Sequence, residues 1–168
     1  RYEEAKALIA ARKFHPWEGG EGKITGQYTI CHVELAKIAL REHRYADALA
    51  LLQATDQYPY NLGEGKLINA EENDIWYYKG LAYRGLGDEE NATLWLHKAT
   101  QGSAEPQQAF FYNDAQPDKI FYQGLALLKL NRMDEANGRF HKLTTYGEKH
   151  LFDKVKMDYF AVSLPDLL

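Results

Sequence analysis

In Trp76-Tyr77-Tyr78-Lys79-Gly80-Leu81-Ala82-Tyr83-Arg84-Gly85-Leu86-Gly87-Asp88-Glu89-Glu90-Asn91-Ala92-Thr93-Leu94-Trp95-Leu96-His97-Lys98-Ala99, apolar and small residues recur at helical spacing on both sides of a Gly87-Asp88 turn. Spacing of that kind gathers side chains on one helix face, so the stretch reads as two helices joined by a tight turn. Gly80 on the first helix and Ala92 on the second let the two axes approach closely, because one side chain on each is nearly absent.

The pattern is periodic. Ala48, Ala92 and Ala136 lie 44 residues apart, and a small residue (Ala36, Gly80, Gly124) stands 12 residues before each. A large apolar residue follows each alanine at one offset: Leu52, Leu96 and Phe140. A fixed period of a few tens of residues is the signature of stacked repeats. The expected fold is therefore all-α: a right-handed superhelical stack of antiparallel helix hairpins, with about three full hairpins plus flanking helices. Residues 1–168 read as one domain. Its repeat units are expected near 26–56, 73–100 and 117–145, with partial units at 1–13 and 149–168. Within these, helices are expected at 26–42 with 45–56, 73–86 with 89–100, and 117–130 with 133–145. A further helix is expected at 149–162. Pro117 suits a first helical turn and Pro165 a helix end.

The aromatic, the small residue, Tyr83, the Gly-Asp turn and Ala92 together resemble the tetratricopeptide repeat. That repeat runs to about 34 residues, so a 44-residue period leaves roughly ten extra residues between hairpins. Lys79 and Gln123 stand where that family usually has Leu, and Asn131-Arg132 replaces Gly-Asp. The inserts repeat as well: His15-Pro16-Trp17 leads to Gly20-Glu21-Gly22-Lys23, and Tyr58-Pro59-Tyr60 leads to Gly63-Glu64-Gly65-Lys66. Together with Glu72-Asn73-Asp74-Ile75, Ile120-Phe121-Tyr122-Gln123-Gly124 and Asp158-Tyr159-Phe160-Ala161, these strings resemble the C-terminal helical-repeat region of a family of large bacterial proteins. The N-terminal part of that family is an uncharacterised β-rich domain akin to sugar-handling β-sandwiches. The resemblance implies a bacterial origin and a carbohydrate-related context, and it transfers no catalytic residue. Arg1-Tyr2-Glu3-Glu4-Ala5 reads as the inside of a helix, so a fragment of a longer protein is expected.

Composition narrows the function classes. Twenty Lys and Arg against 24 Asp and Glu give a net charge of −4. Both signs are interspersed, which gives no footprint for nucleic acid. No apolar run approaches a membrane span. Cys31 is the single cysteine, which excludes an internal disulfide and fits a reducing, cytoplasmic setting. Gly-Glu-Gly-Lys is no phosphate loop: there is no preceding strand and no Ser or Thr after the lysine. The six histidines lack i, i+4 pairing with a third ligand, so neither metal nor cofactor is expected. Acids gather at Glu71, Glu72 and Asp74 and at Asp114 and Asp118. Each group falls at an expected helix start, where the helix dipole favours negative charge, so capping competes with an acid-pair reading.

The leading functional reading is a non-catalytic scaffold that binds a protein or a neighbouring domain of its parent chain. Its concave face is expected to present Lys37, Arg41, Asp74, Tyr77, Arg84, Asp118, Phe121 and Lys129. The alternative is an accessory domain of a carbohydrate-active enzyme, contacting sugar or the catalytic domain through loop aromatics Trp17, Tyr60, Phe111 and Tyr112. Trp17 and Tyr60 are expected on one side of the stack, about 20 Å apart, as a ridge at roughly 10 Å per helix layer.

Overall fold

The computed structural model describes residues 1–109 and 114–154. Every regular element among them is helical: α1 (Tyr2–Ala10), α2 (Lys23–Arg41), α3 (Tyr45–Gln53), α4 (Asn73–Gly85), α5 (Glu89–Ala99), α6 (Pro117–Lys129) and α7 (Met133–His150). A single 3₁₀ turn, Tyr60–Leu62, lies in the second insert. No helix among the described residues is long and apolar enough to cross a membrane.

The helices pair as the period demands. α2 packs on α3, α4 on α5 and α6 on α7, and successive pairs touch through α3–α4, α5–α6, α2–α4 and α4–α6. All three pairs share one turn geometry. His43, Gly87 and Asn131, 44 residues apart, each take a positive φ, at 60°, 79° and 61°. The residue after each then donates its backbone N–H five residues back: Arg44 to Ala39, Asp88 to Tyr83 and Arg132 to Leu127, at 2.8, 3.0 and 2.9 Å. This is the glycine-type helix stop, which satisfies carbonyls that the helix end leaves without partners. Glycine adopts it freely at Gly87, whereas His43 and Asn131 bear the Cβ penalty of the left-handed region. Asp88 also accepts the Asn91 backbone N–H at 3.0 Å, closing the first turn of α5.

The small residues do what their spacing implied. Ala36, Ala48, Ala92 and Ala136 are fully buried. A Cβ on Gly80 would stand 2.7 Å from Leu96 Cγ, and one on Gly124 would stand 2.3 Å from Phe140 Cε1. One hydrophobic cluster joins α2, α3 and α4 through Ala36, Ala48, Leu52, Ile75 and Ala82. A second joins α4, α5 and α6 through Tyr77, Leu96, Ala99 and Ala126.

Lys79 and Gln123, the two departures from the repeat pattern, are both fully buried, and each ties down the end of the preceding hairpin. Lys79 Nζ bonds Asp56, just past α3, at 2.6 Å and lies 4.4 Å from the centre of the Trp95 ring. Gln123 Nε2 donates to the carbonyls of Gln101 and Ser103, at 3.0 and 2.9 Å, while its Oε1 accepts from Arg139 at 3.0 Å. Leucine could fill either space but could not hold a following insert.

The inserts interlock. Asn61 Nδ2 donates to the carbonyls of Ile9 and Arg12, at 2.9 and 2.7 Å, satisfying the open end of α1. The Asn61 carbonyl in turn accepts the Phe14 N–H at 2.7 Å. Glu64 accepts the Gly22 N–H at 2.9 Å, at the start of α2. The two Gly-Glu-Gly-Lys loops thus bond to one another. Gly22, at φ 75°, also starts α2 at Lys23, three residues earlier than its periodicity implies.

Helix α7 departs further. A break was expected at 146–148, with a new helix from 149, but α7 continues to His150. Gly147 costs helix propensity, yet the Tyr146 and His150 rings, one turn apart, pack with centroids 4.3 Å apart across it. The remainder of the helix expected at 149–162 lies outside the described residues from 155 onward.

Candidate functional site

A cleft of about 780 Å³ runs along the N-terminal ends of α2, α4 and α6. The lower wall is the first turns of α2, with Gly22, Thr25, Thr29 and Ile30. The second insert forms the middle, from Tyr58 through Glu64, Leu67 and Ala70 to Glu72. Asp74 and Ile75 of α4, and Asp114 to Lys119 leading into α6, complete it. Equivalent ends of three successive first helices therefore line one space, because the 44-residue period brings them to the same level.

Seven carboxylates line it: Glu21, Glu64, Glu71, Glu72, Asp74, Asp114 and Asp118. Their abundance has a local cause, since acids are favoured at the positive ends of helices. Their convergence is a tertiary effect. Lys119 reaches Asp74 at 2.7 Å and Asp118 at 3.7 Å. Burial weakens the charge on Lys119, but Asp74, Asp118 and Glu72 outweigh it and raise its pKa, so the ammonium stays charged. Lys66 pairs with Glu72 at 2.5 Å and donates to the Thr55 carbonyl at 2.7 Å. Glu64 is bound to the start of α2, as described. Glu71 is different: its Oε2 is buried, and no donor among the described residues reaches it. Ile30 and Leu67 add exposed apolar surface to the lining, at 46% and 41% exposure.

A smaller recess of about 460 Å³ lies behind this wall, between Tyr58, Lys66, Ile68, Trp76 and Lys98. Lys98 covers the Trp76 ring at 4.7 Å from its centre, which occupies the face a flat ligand would use.

The residues expected on a concave face do not form one site. Asp74 and Asp118 line the cleft. Lys37 and Arg41 sit on the C-terminal half of α2, the former paired with Glu34 at 2.5 Å. Arg84 ends α4 and meets Glu89 at 3.3 Å, and Lys129 ends α6. Tyr77 requires correction: it is 8% exposed and packs among Leu96, Ala99 and Ala126. Contact between α4 and α6 turns it inward, against the rings of Tyr78 and Tyr122 with centroids 5.3 and 6.0 Å away. Phe121, 45% exposed, lies edge-on to Tyr122 and beside Phe140.

Of the loop aromatics, Trp17 is 49% exposed and Tyr60 90% exposed. Trp17 lies on Gly20, where a Cβ would stand 1.9 Å from the ring, so one of its faces is taken. Lys13 Nζ stands 6.0 Å from the Tyr60 ring centre. Phe111 and Tyr112 lie outside the described residues. No group of three or more His, Cys, Asp or Glu among the described residues is placed to hold a metal ion.

The cleft residues Glu21, Glu64, Glu71 and Leu67 were missed as site members. The clustering of Glu71, Glu72 and Asp74 with Asp114 and Asp118 was visible, but its signal coincided with that of ordinary helix starts. No family model matches the chain, and no solved structure matches it.

Proposed function

We propose that the chain is a tetratricopeptide-like solenoid acting as a non-catalytic interaction scaffold, which holds a segment of a partner protein or of a neighbouring domain. The observation that carries this reading is the cleft across α2, α4 and α6. A surface drawn from three repeats in line suits an extended chain better than a compact metabolite. Glu72 and Asp74 are each paired with a lysine and Glu64 with a helix start, which favours binding over acid–base chemistry at those groups.

The experiment is site-specific photo-crosslinking in cells that express the chain, with the reactive side chain at Leu67 in the cleft or at Leu94 on the exposed face of α5. Protein adducts at Leu67 and none at Leu94 are expected. No adduct at either position, or equal adducts at both, overturns the scaffold reading.

A second reading, an accessory domain of a carbohydrate-active enzyme, draws support from the Tyr60 ring, 90% exposed on the second insert. Exposed rings stack on sugar faces as readily as they dock on protein. Glycan binding that is lost in Tyr60→Ala, with crosslinking at Leu67 absent, would favour this alternative.

A further inference from the structure

We infer that the occupant of the cleft is an extended segment that places Lys or Arg side chains beside apolar ones. This rests on the scaffold reading and names the chemistry of the partner.

Three observations of different kinds converge on it. The first is charge. Besides Asp114, six carboxylates line the cleft: Glu72 is matched by Lys66, Lys119 is shared by Asp74 and Asp118, and Glu64 is held by backbone, which leaves Glu21 and Glu71. Acid therefore exceeds base, and inside a concave wall of lower dielectric the excess field is focused outward. Anionic ligands such as phosphates, acidic peptides and nucleic acid are repelled by it.

The second is an unmet hydrogen bond. Glu71 Oε2 is buried without a donor among the described residues. A carboxylate oxygen removed from water normally has a partner, and one left without it costs stability. An incoming guanidinium or ammonium that seats beside Glu71 supplies that donor. Gln123 and Lys119 are already engaged elsewhere.

The third is apolar. Ile30 and Leu67 are large, about half exposed, and on the lining itself rather than scattered over the outer surface. A purely cationic ligand leaves them wet. An extended chain points alternate side chains to opposite sides, so one segment can reach Glu71 with a cation and rest a neighbouring apolar group on Leu67. Cavities of 300–1,000 Å³ hold drug-sized ligands. A cleft of about 780 Å³ accordingly takes a few residues of such a segment.

The test uses the full chain and three fluorescein-labelled nonapeptides of alternating residues, Arg/Leu, Gln/Leu and Glu/Leu, read by fluorescence anisotropy. Arg/Leu binding is expected, with the other two at least tenfold weaker. Glu71→Gln, which is nearly isosteric, and Asp118→Asn, which is exposed, are each expected to weaken the Arg/Leu peptide about tenfold. The double variant Glu89→Gln, Glu90→Gln, with acids on α5 outside the cleft, is expected to leave affinity unchanged. Far-UV circular dichroism confirms that each variant keeps its helicity. An equal loss in the Glu89/Glu90 variant would mean attraction to net charge alone and overturns the inference. Unaltered affinity in both cleft variants, or no binding of the Arg/Leu peptide, overturns it too. Tight binding of Gln/Leu together with Leu67 adducts in cells overturns only the cationic chemistry and leaves the scaffold standing.

Discussion

Glycine 80 offers the sharpest test of the hairpin geometry, because the same substitution elsewhere should act with the opposite sign. In Gly80→Ala the new Cβ stands 2.7 Å from Leu96 Cγ, 3.0 Å from Leu96 Cδ2 and 3.3 Å from the Ala92 carbonyl oxygen. Leu96 is fully buried, so its branch point cannot swing clear, and the carbonyl is fixed by α5. Overpacking of this kind costs about 1–3 kcal/mol. Alanine meanwhile returns up to about 1 kcal/mol of helix propensity. Net destabilisation of about 1 kcal/mol is expected, a fall of roughly 2–4 °C in Tm for a chain of this size. Gly138, inside α7, has nothing within 4 Å of its would-be Cβ, so Gly138→Ala should stabilise by up to about 1 kcal/mol. Propensity cancels between the two variants, and their difference reports the α4–α5 contact alone. Urea denaturation followed by tryptophan fluorescence and far-UV circular dichroism measures it. If Gly80→Ala proves as stable as Gly138→Ala, the close approach described here is wrong.

Asn131→Gly relieves a left-handed residue at the α6–α7 turn and should stabilise by about 1 kcal/mol; a loss of stability on urea denaturation would show that the Asn131 side chain matters more than its backbone. Asp56→Ala leaves the Lys79 ammonium buried without its carboxylate and should cost about 1–3 kcal/mol, whereas Lys79→Met leaves Asp56 able to reach water and should cost less than about 1.5 kcal/mol. The reverse order of Tm values would refute that account of the pair. His32 is buried, and its pKa lies below the ordinary 6.5, because burial outweighs the bond to the Tyr28 carbonyl. The unfolded chain therefore takes up this proton first, so the His32 contribution is complete above about pH 6.5 and is lost as pH falls through the folded pKa. Between pH 7.5 and 5.5, the parent protein should lose more stability than His32→Gln; equal losses would rule out His32 as the cause.

What the sequence disclosed and what it withheld divide along physical lines. Ala48, Ala92 and Ala136 mark a contact made within a single hairpin, so a fixed offset reveals it. Gly87 likewise announces a left-handed turn, and the same 44-residue offset carries that reading to His43 and Asn131 despite their side chains. Tyr77 was misplaced because Trp76, Tyr77 and Tyr78 are three adjacent rings, and local pattern cannot tell which faces the next hairpin. That choice is made by α6. The cleft was hidden for a related reason: all of its acids but Glu64 stand at or just before their own helix starts, and only stacking shows that these starts share a space. Glu64 repeats Glu21 at an interval of 43, yet neither that repeat nor Asn61 discloses a partner, since Glu64 and Asn61 each satisfy backbone groups some 40 to 50 residues away.

The bonds made by Asn61 have a mechanical consequence. Its side chain and carbonyl grip the end of α1 at Ile9, Arg12 and Phe14, a span of up to 52 residues. A chain pulled from its ends passes load straight across that grip, so α2 and α3 inside the bridged stretch feel no tension while it holds. When it parts, slack approaching about 180 Å of extended backbone is released. Tensile strength in this part of the molecule therefore resides in a few bonds of the second insert, those of Asn61 to the end of α1 together with Glu64 on Gly22.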